Sequence, residues 1–341
     1  MVLVKKIMAV WCFLSLMSAS FAQELSSDIR VHDPVMIKQE QTYYLFCTGN
    51  GIGVWSSIDR KNWKREKPVF AAPPQWAVDT IPGFKGHIWA PDISFYNGKY
   101  YLYYSVSAFG KNTSAIGVAT NTTLNPNDAG FKWLDHGRVI QSYPNQTNWN
   151  AIDPNIITDD KGTAYMSFGS FWDGLKIARL SKDRLSIDED VNQLATIASR
   201  KSGSSQANPP SIDDNPKDAG GNAIEAPFIF KKGKYYYLFA SIDYCCKGER
   251  STYKMIVGRS KKVTGPYLDD EKRDMAFGGG KLLLAGDAKW HGVGHNAVVS
   301  FDGADYLVFH GYDAADKGIS KLRIEQMIWD KKQWPVIEIK Q

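Results

Sequence analysis

The sequence predicts an all-β protein, a five-bladed β-propeller with its functional site at one end of the central channel. Three observations predict it. A unit made of a polar or acidic residue near a proline, a short apolar strand, a turn and an aromatic-rich strand recurs five times. Measured between Pro34, Pro91, Pro154, Pro227 and Asn296, the units lie 57, 63, 73 and 69 residues apart, which is room for four short strands and their turns, one blade each. Long helical periodicity is nearly absent, and residues 183 to 200 hold at most a brief turn of helix.

Taken in order, the chain opens with Lys5-Lys6, an apolar run from Ile7 to Met17 and small residues ending at Ala22. That is the order of a secretory signal peptide, and the run is too short to span a bilayer. Residues 1–22 are therefore expected to be removed and the protein secreted without membrane attachment, leaving 23–341 as a single propeller domain. The first unit reads Asp33-Pro34-Val35-Met36-Ile37 and leads to Tyr43-Tyr44-Leu45-Phe46. The second is Trp89-Ala90-Pro91-Asp92-Ile93, leading to Tyr100-Tyr101-Leu102-Tyr103. The third is Asp153-Pro154-Asn155-Ile156-Ile157, leading to Tyr165-Met166-Ser167-Phe168. The fourth is Glu225-Ala226-Pro227-Phe228-Ile229, leading to Tyr236-Tyr237-Leu238-Phe239. The fifth, a weaker copy, is His295-Asn296-Ala297-Val298-Val299, leading to Tyr306-Leu307-Val308-Phe309. Asn97-Gly98, Asp160-Lys161-Gly162, Lys232-Gly233 and Asp302-Gly303 sit where hairpins need turns. Residues 201 to 222, rich in Ser, Gly, Pro and Asp, read as a long loop. A β-sandwich would also mark turns with Pro and Asp, but it has no reason to repeat one acidic-Pro-strand unit five times.

Composition narrows the partners. Without the signal segment about 39 Lys and Arg face 36 Asp and Glu, and no basic block stands out, so nucleic acid is a poor partner. Cys47, Cys245 and Cys246 are an odd number beyond that segment, which argues against a disulfide framework. Aromatic content of 13% suits sugar stacking and a large β core equally. A monomer with no organic cofactor is expected.

The repeat carries the chemistry. Inner strands of a propeller run along the axis, so equivalent positions converge at one end of the channel. In three units an acid stands beside the proline: Asp33 and Asp153 directly before it, Glu225 one residue earlier. Converging carboxylates repel one another, which raises at least one pKa while others stay ionised. Such crowding opposes stability, and use explains it better than chance. One protonated carboxyl and one ionised carboxylate are what glycoside hydrolysis needs, since a glycosidic oxygen leaves poorly until protonated. Opposite sides of a channel leave space for water between base and sugar, which suits inversion.

Six segments in order resemble the arabinanases of glycoside hydrolase family 43. They are His32-Asp33-Pro34, Gly86-His87-Ile88-Trp89-Ala90-Pro91-Asp92, Asn150-Ala151-Ile152-Asp153-Pro154-Asn155, Ser167-Phe168-Gly169-Ser170-Phe171-Trp172, Glu225-Ala226-Pro227 and Gly294-His295-Asn296. The resemblance runs from Val31 to about Trp334. It implies a five-bladed propeller that cuts internal α-1,5 bonds of arabinan with inversion. By position it implies Asp33 as general base, Glu225 as general acid and Asp153 as an ionised neighbour that orients Glu225 and raises its pKa. It also implies Trp89 and Phe109 as stacking platforms, with Gly117, Asn150, Ile152, Asn155, Ser170, Phe171 and Trp172 lining subsites. His295 would sit beside a Ca2+ or similar ion and its waters, and Asp92 would support the site from behind. Cys245-Cys246 is implied as a vicinal disulfide or a packed thiol pair; a thiol nucleophile would want a histidine close in sequence, and none is there. Asn112, Asn121 and Asn145 begin glycosylation patterns.

Three other readings compete. An exo-acting α-L-arabinofuranosidase or β-xylosidase of the same family often carries a further C-terminal β-sandwich, which is not expected after Gln341. A non-catalytic carbohydrate-binding propeller has no need of three carboxylates. Retaining fructan and sucrose hydrolases use Arg-Asp-Pro and Glu-Cys pairs, whereas here Asp153 follows Ile152 and Glu225 precedes Ala226.

Overall fold

The computed structural model describes residues 28–200 and 222–337; the expected signal segment and nearly all of the 201–222 loop lie outside them. Five antiparallel sheets follow one another along the chain and make a five-bladed propeller. Their inner strands are Val35–Gln39, His87–Tyr96, Asn155–Thr158, Ile224–Lys232 and Trp290–Phe301, the five units read from the sequence. Each pairs with the aromatic-rich strand after it, and two further strands complete the blade. The second blade gains a fifth strand, the dipeptide Gly49–Asn50, which pairs with His87 and Ile88.

Flat sheets stacked around an axis bury both faces of their middle strands, so those strands read as unbroken apolar and aromatic runs. Tyr100–Val106 and Tyr236–Ile242 are buried at every residue. The core accordingly lies between blades rather than at one centre. One cluster joins the first blade to the second and the fifth, another the second to the third, and two more the third to the fourth and the fourth to the fifth. Hairpin corners fall at the expected turns: Asn97 and Gly98 (φ 46 and 76) and Asp302 and Gly303 (φ 52 and 82) adopt left-handed backbone.

Two local details differ from expectation or refine it. Gln75–Thr80 is a six-residue α-helix that follows Pro73-Pro74 and buries Ala77; it is too short to leave a periodic signal. Within 183–200 the helical turn is a single 3-10 turn, Val191–Gln193, capped by the Asp190 side chain and followed by the strand Ala195–Ala198.

The seam between the first and fifth blades is closed by polar links. Leu322 N–H donates to the Ile29 carbonyl at 3.2 Å. The Lys321 ammonium lies 2.8 Å from Asp28, 2.9 Å from Asp313 and 3.2 Å from Asp316. Further along the seam, Lys38 and Tyr43 both donate to Asp302, at 2.8 and 2.6 Å. Among the described residues no helix is long and apolar enough to cross a membrane.

Candidate active site

At one end of the channel each inner strand is entered through a residue in left-handed backbone: Asp33 (φ 53), Ala90 (φ 42), Asp153 (φ 58), Ala226 (φ 54) and His295 (φ 51). Residues with a Cβ seldom adopt it, and it persists where the surroundings over-determine it. Here a side chain of the preceding blade accepts each N–H. Ala90 donates to Thr48 Oγ1 at 2.8 Å, Asp153 to Ser105 Oγ at 3.0 Å and Ala226 to Asp153 Oδ2 at 3.1 Å. His295 donates to Ser241 Oγ at 2.8 Å and Asp33 to His310 Nδ1 at 3.1 Å. The clasp runs once around the ring. In this register Ala226, not Glu225, is the counterpart of Asp33 and Asp153; a bulge after Glu225 shifts its carboxyl by one residue.

Glu225 is held at both oxygens. Ser170 Oγ donates to Oε2 and the Tyr253 hydroxyl to Oε1, each at 2.8 Å. Burial pushes the Glu225 carboxyl above its ordinary range, the charge of Cys246 adds to this, and the two hydroxyl donors only partly offset it. Burial also raises Asp153; the nearby His295 opposes this, and the charges of Glu225 and Asp33 reinforce it. The pair therefore retains a proton that isolated carboxyls would lose. This differs from the expected ionised Asp153, because burial outweighs the attraction of His295.

Asp33 is the opposite case. Its Oδ1 lies 2.8 Å from His32 Nδ1 and 3.0 Å from His295 Nδ1, and its Oδ2 accepts from Thr48 Oγ1 at 2.5 Å. Burial alone would raise it, but the charges of His295 and His32 hold it well below the usual carboxylate range. His295 is pushed up to about 9: burial opposes the shift, and the Asp33 charge drives it. His310 has no exposed surface and is held well below the usual imidazole value by that burial. A neutral ring suits it, since its Nδ1 accepts from the Asp33 backbone.

The structure thus brings Asp33, Asp153, Glu225, Ser170 and His295 together. It disposes the other expected residues differently. Asn155 Oδ1 accepts from Ile229 N–H at 2.8 Å, and Asp92 Oδ2 from Ile156 N–H at 2.7 Å, so both side chains staple neighbouring blades. Asn155 thereby ties the third blade to the fourth. Gly117 lies buried in the second blade, where an added Cβ would stand 2.5 Å from the Tyr104 ring and 2.8 Å from Trp76, so close packing requires a glycine there. Asn150 and Ile152 are buried on the approach to Asp153. Trp172 is only 5% exposed and packs with Phe171, whereas Phe109 is 80% exposed on a loop. Trp89 is half-buried, its indole N–H donating to His87 Nδ1 at 3.0 Å. Asn112 and Asn121 are buried, so their glycosylation patterns are closed in the folded chain.

Several residues at the site were not singled out by sequence reasoning. Tyr253, His310 and Tyr312 lie far in sequence from the carboxylates they serve, and nothing local marks them. Thr48, Ser105 and Ser241 carried a signal: each is a hydroxyl at the end of a blade's second strand, just after its aromatic run. Tyr244 packs against Phe171, with ring centroids 6.2 Å apart. Cys47, Cys245 and Cys246 are all free thiols. Cys246 is drawn down to about 5, first by a hydrogen bond from Cys245 and further by His32, against the effect of burial.

The expected ion can be tested against its donors. Near His295 stand one imidazole, the Asp33 carboxylate and Asn296, whose amide is buried with neither its oxygen nor its nitrogen partnered. That set lacks the six to eight oxygens of a protein calcium cage but fits a hard cation that keeps most of its waters.

A propeller that gathers carboxyls raised by burial beside one held low by imidazoles suits acid–base work on a glycosidic bond. Residues 27–335 match the glycosyl hydrolases family 43, and the chain belongs to that family of glycoside hydrolases. It is 50% identical over 328 residues to the extracellular exo-alpha-(1->5)-L-arabinofuranosidase of Cellvibrio japonicus, covering 96% of this chain and 92% of that protein. It is 41% identical over 314 residues to the extracellular endo-alpha-(1->5)-L-arabinanase 1 of Bacillus subtilis, covering 91% and 88%. Among solved structures, the Cellvibrio cellulosa alpha-L-arabinanase complexed with arabinohexaose superposes with a TM-score of 0.85 at 50% identity, covering 91% of this chain and 96% of that one.

Proposed function

We propose that the protein is a secreted hydrolase of α-1,5-linked arabinan that acts with inversion at the anomeric carbon. The observation that carries this reading is the split within one pocket: burial keeps a proton on the Glu225–Asp153 pair, while two imidazoles keep Asp33 ionised. Glu225 gives its proton to the glycosidic oxygen as the bond from that oxygen to the anomeric carbon breaks. A water attacks the same carbon from the far face and loses its proton to Asp33. Because Asp33 is held below the usual carboxylate range and Glu225 above it, there is a pH window in which the ionised acceptor and the protonated donor coexist. Asp153 accepts the Ala226 N–H, which fixes the peptide next to Glu225, and its charge, when present, raises Glu225 further. A hydrated divalent cation beside His295 and Asn296 would add positive charge near Asp33 when bound.

Cleavage at chain ends is the first reading, and the names of the relatives support it. The relative at 50% identity is named exo-acting and the endo-named one stands at 41%. Internal cleavage is the second reading, supported by the arabinanase-like segments of the sequence and by the endo-named relative. Extracellular names of both relatives and the signal-like first 22 residues support secretion.

Linear arabinan incubated with the purified protein separates these readings: short products of one size from the first minutes mean exo action, and mixed oligomers mean endo. Proton NMR of the first product gives the anomeric configuration, and retention would remove the water-activating role of Asp33. Glu225→Gln is expected to lower kcat by about 10²–10⁴. Wild-type turnover in that variant would sink the assignment.

A further inference from the structure

We propose that His32, Cys245 and Cys246 form a binding site for a thiophilic divalent cation of the zinc class at the rim of the carboxylate pocket. The imidazole nitrogen and both sulfurs lie within 4.8 Å of one another. A tetrahedral zinc bound at ordinary Zn–S and Zn–N lengths separates a sulfur from a nitrogen ligand by about 3.6 Å. Cys246 Sγ and His32 Nε2 are 3.7 Å apart. Consecutive side chains of an extended chain point to opposite sides, but the left-handed backbone at Cys246 (φ 63) breaks that alternation, and neither sulfur is tied up in a disulfide.

The ring is also backed as a metal ligand should be. His32 Nδ1 faces Asp33 Oδ1 at 2.8 Å, the carboxylate–imidazole relation that fixes ring orientation at zinc sites. Cys246 is exposed and the other two donors are half-buried, so the fourth position opens to solvent. Two sulfurs and one nitrogen are a soft set, distinct in chemistry from the oxygen-preferring surroundings of His295. Tyr312 Oη, 2.8 Å from His32 Nε2, gives way to the cation and keeps the Cys246 N–H at 2.7 Å as its partner. On binding, both sulfurs coordinate as thiolates and His32, the imidazole that faces Asp33, coordinates through a deprotonated Nε2; any protons these three atoms carry leave to solvent. Occupancy therefore inhibits hydrolysis.

Cadmium added to the reduced full chain tests this through the ultraviolet charge-transfer band of a cadmium thiolate. One equivalent is expected to bind and raise the band, and zinc to displace it one for one. Cys245→Ser with Cys246→Ser is expected to abolish the band, and His32→Gln to weaken affinity at least about tenfold, each with near-ultraviolet circular dichroism like wild type. Cys47→Ala, at a buried position outside the cluster, is expected to keep the band. Absence of a band in the reduced protein overturns the proposal, as does a band that survives the double serine change or an unaltered affinity in His32→Gln. Zinc inhibition reversed by a chelator is expected in wild type; inhibition of equal strength in the double serine variant overturns the regulatory part.

Discussion

Both oxygens of Glu225 are gripped by hydroxyls, those of Ser170 and Tyr253. Those hydroxyls favour the ionised form, so they restrain the upward shift that burial imposes. Tyr253→Phe removes one donor and keeps the ring; the Glu225 pKa rises, and the alkaline limb of kcat/KM moves to higher pH. A limb that stays in place or moves down in a pH–rate series would show that Tyr253 does not tune the acid. Asp153 bears on stability as well. Its folded pKa lies at about 8, above the unfolded value of about 3.9, so the native state holds the proton more tightly. Its stabilising contribution is complete below the unfolded pKa and is lost as pH rises towards 8. Asp153→Asn removes that loss. The variant is expected to melt higher than wild type by about 2 °C or more at pH 8, with little difference at pH 4, and to hydrolyse arabinan far more slowly. Thermal melts across that range check the sign.

The strand and its successor are the unit in which the pocket is made. An inner strand alone would not keep a left-handed aspartate at its head; the hydroxyl of the blade before it does. Ser105 has no exposed surface, so Ser105→Ala leaves the Asp153 N–H without its partner and is expected to destabilise the protein by about 1–3 kcal/mol. Urea unfolding measures that loss, and kcat is expected to fall more than KM rises, since the displaced group is Asp153 rather than a sugar contact. Close approach matters at the same scale: a Cβ on Gly294 would stand 2.2 Å from the Tyr253 ring, so this glycine sets where the Glu225 donor can lie. The inner strands were legible in the sequence because proline and an alternating apolar run repeat with them. Asp33 and Asp153 were legible because they keep step with that repeat, and Glu225 because it stands one residue from the matching position. The clasping hydroxyls were not read, although they recur, because a lone Ser or Thr after an aromatic run looks like any strand end. The packing duties of Asn155 and Gly117 were not legible either, because they depend on partners, Ile229 and Tyr104, that only the fold brings beside them.

For the whole molecule the decisive place is where the last blade meets the first. Lys321 is 8% exposed and ties Asp28, Asp313 and Asp316 together, so Lys321→Ala leaves three acids facing one another across that seam. The variant is expected to melt lower and to show faster amide exchange in 28–34 and 319–324 than in the third blade. Uniform exchange across all blades would mean the seam is no weaker than the rest. His310 remained hidden from sequence reasoning for the same large-scale reason: it meets Asp33 only once the circle is complete, whereas Tyr253 reaches Glu225 within the fourth blade. Asp33 comes from the first blade, Asp153 heads the third, Glu225 belongs to the fourth and His295 to the fifth. A nicked or half-finished chain consequently owns no share of the turnover in proportion to what has folded, and regain of hydrolysis after denaturation times the arrival of the final blade rather than the average recovery of strand content.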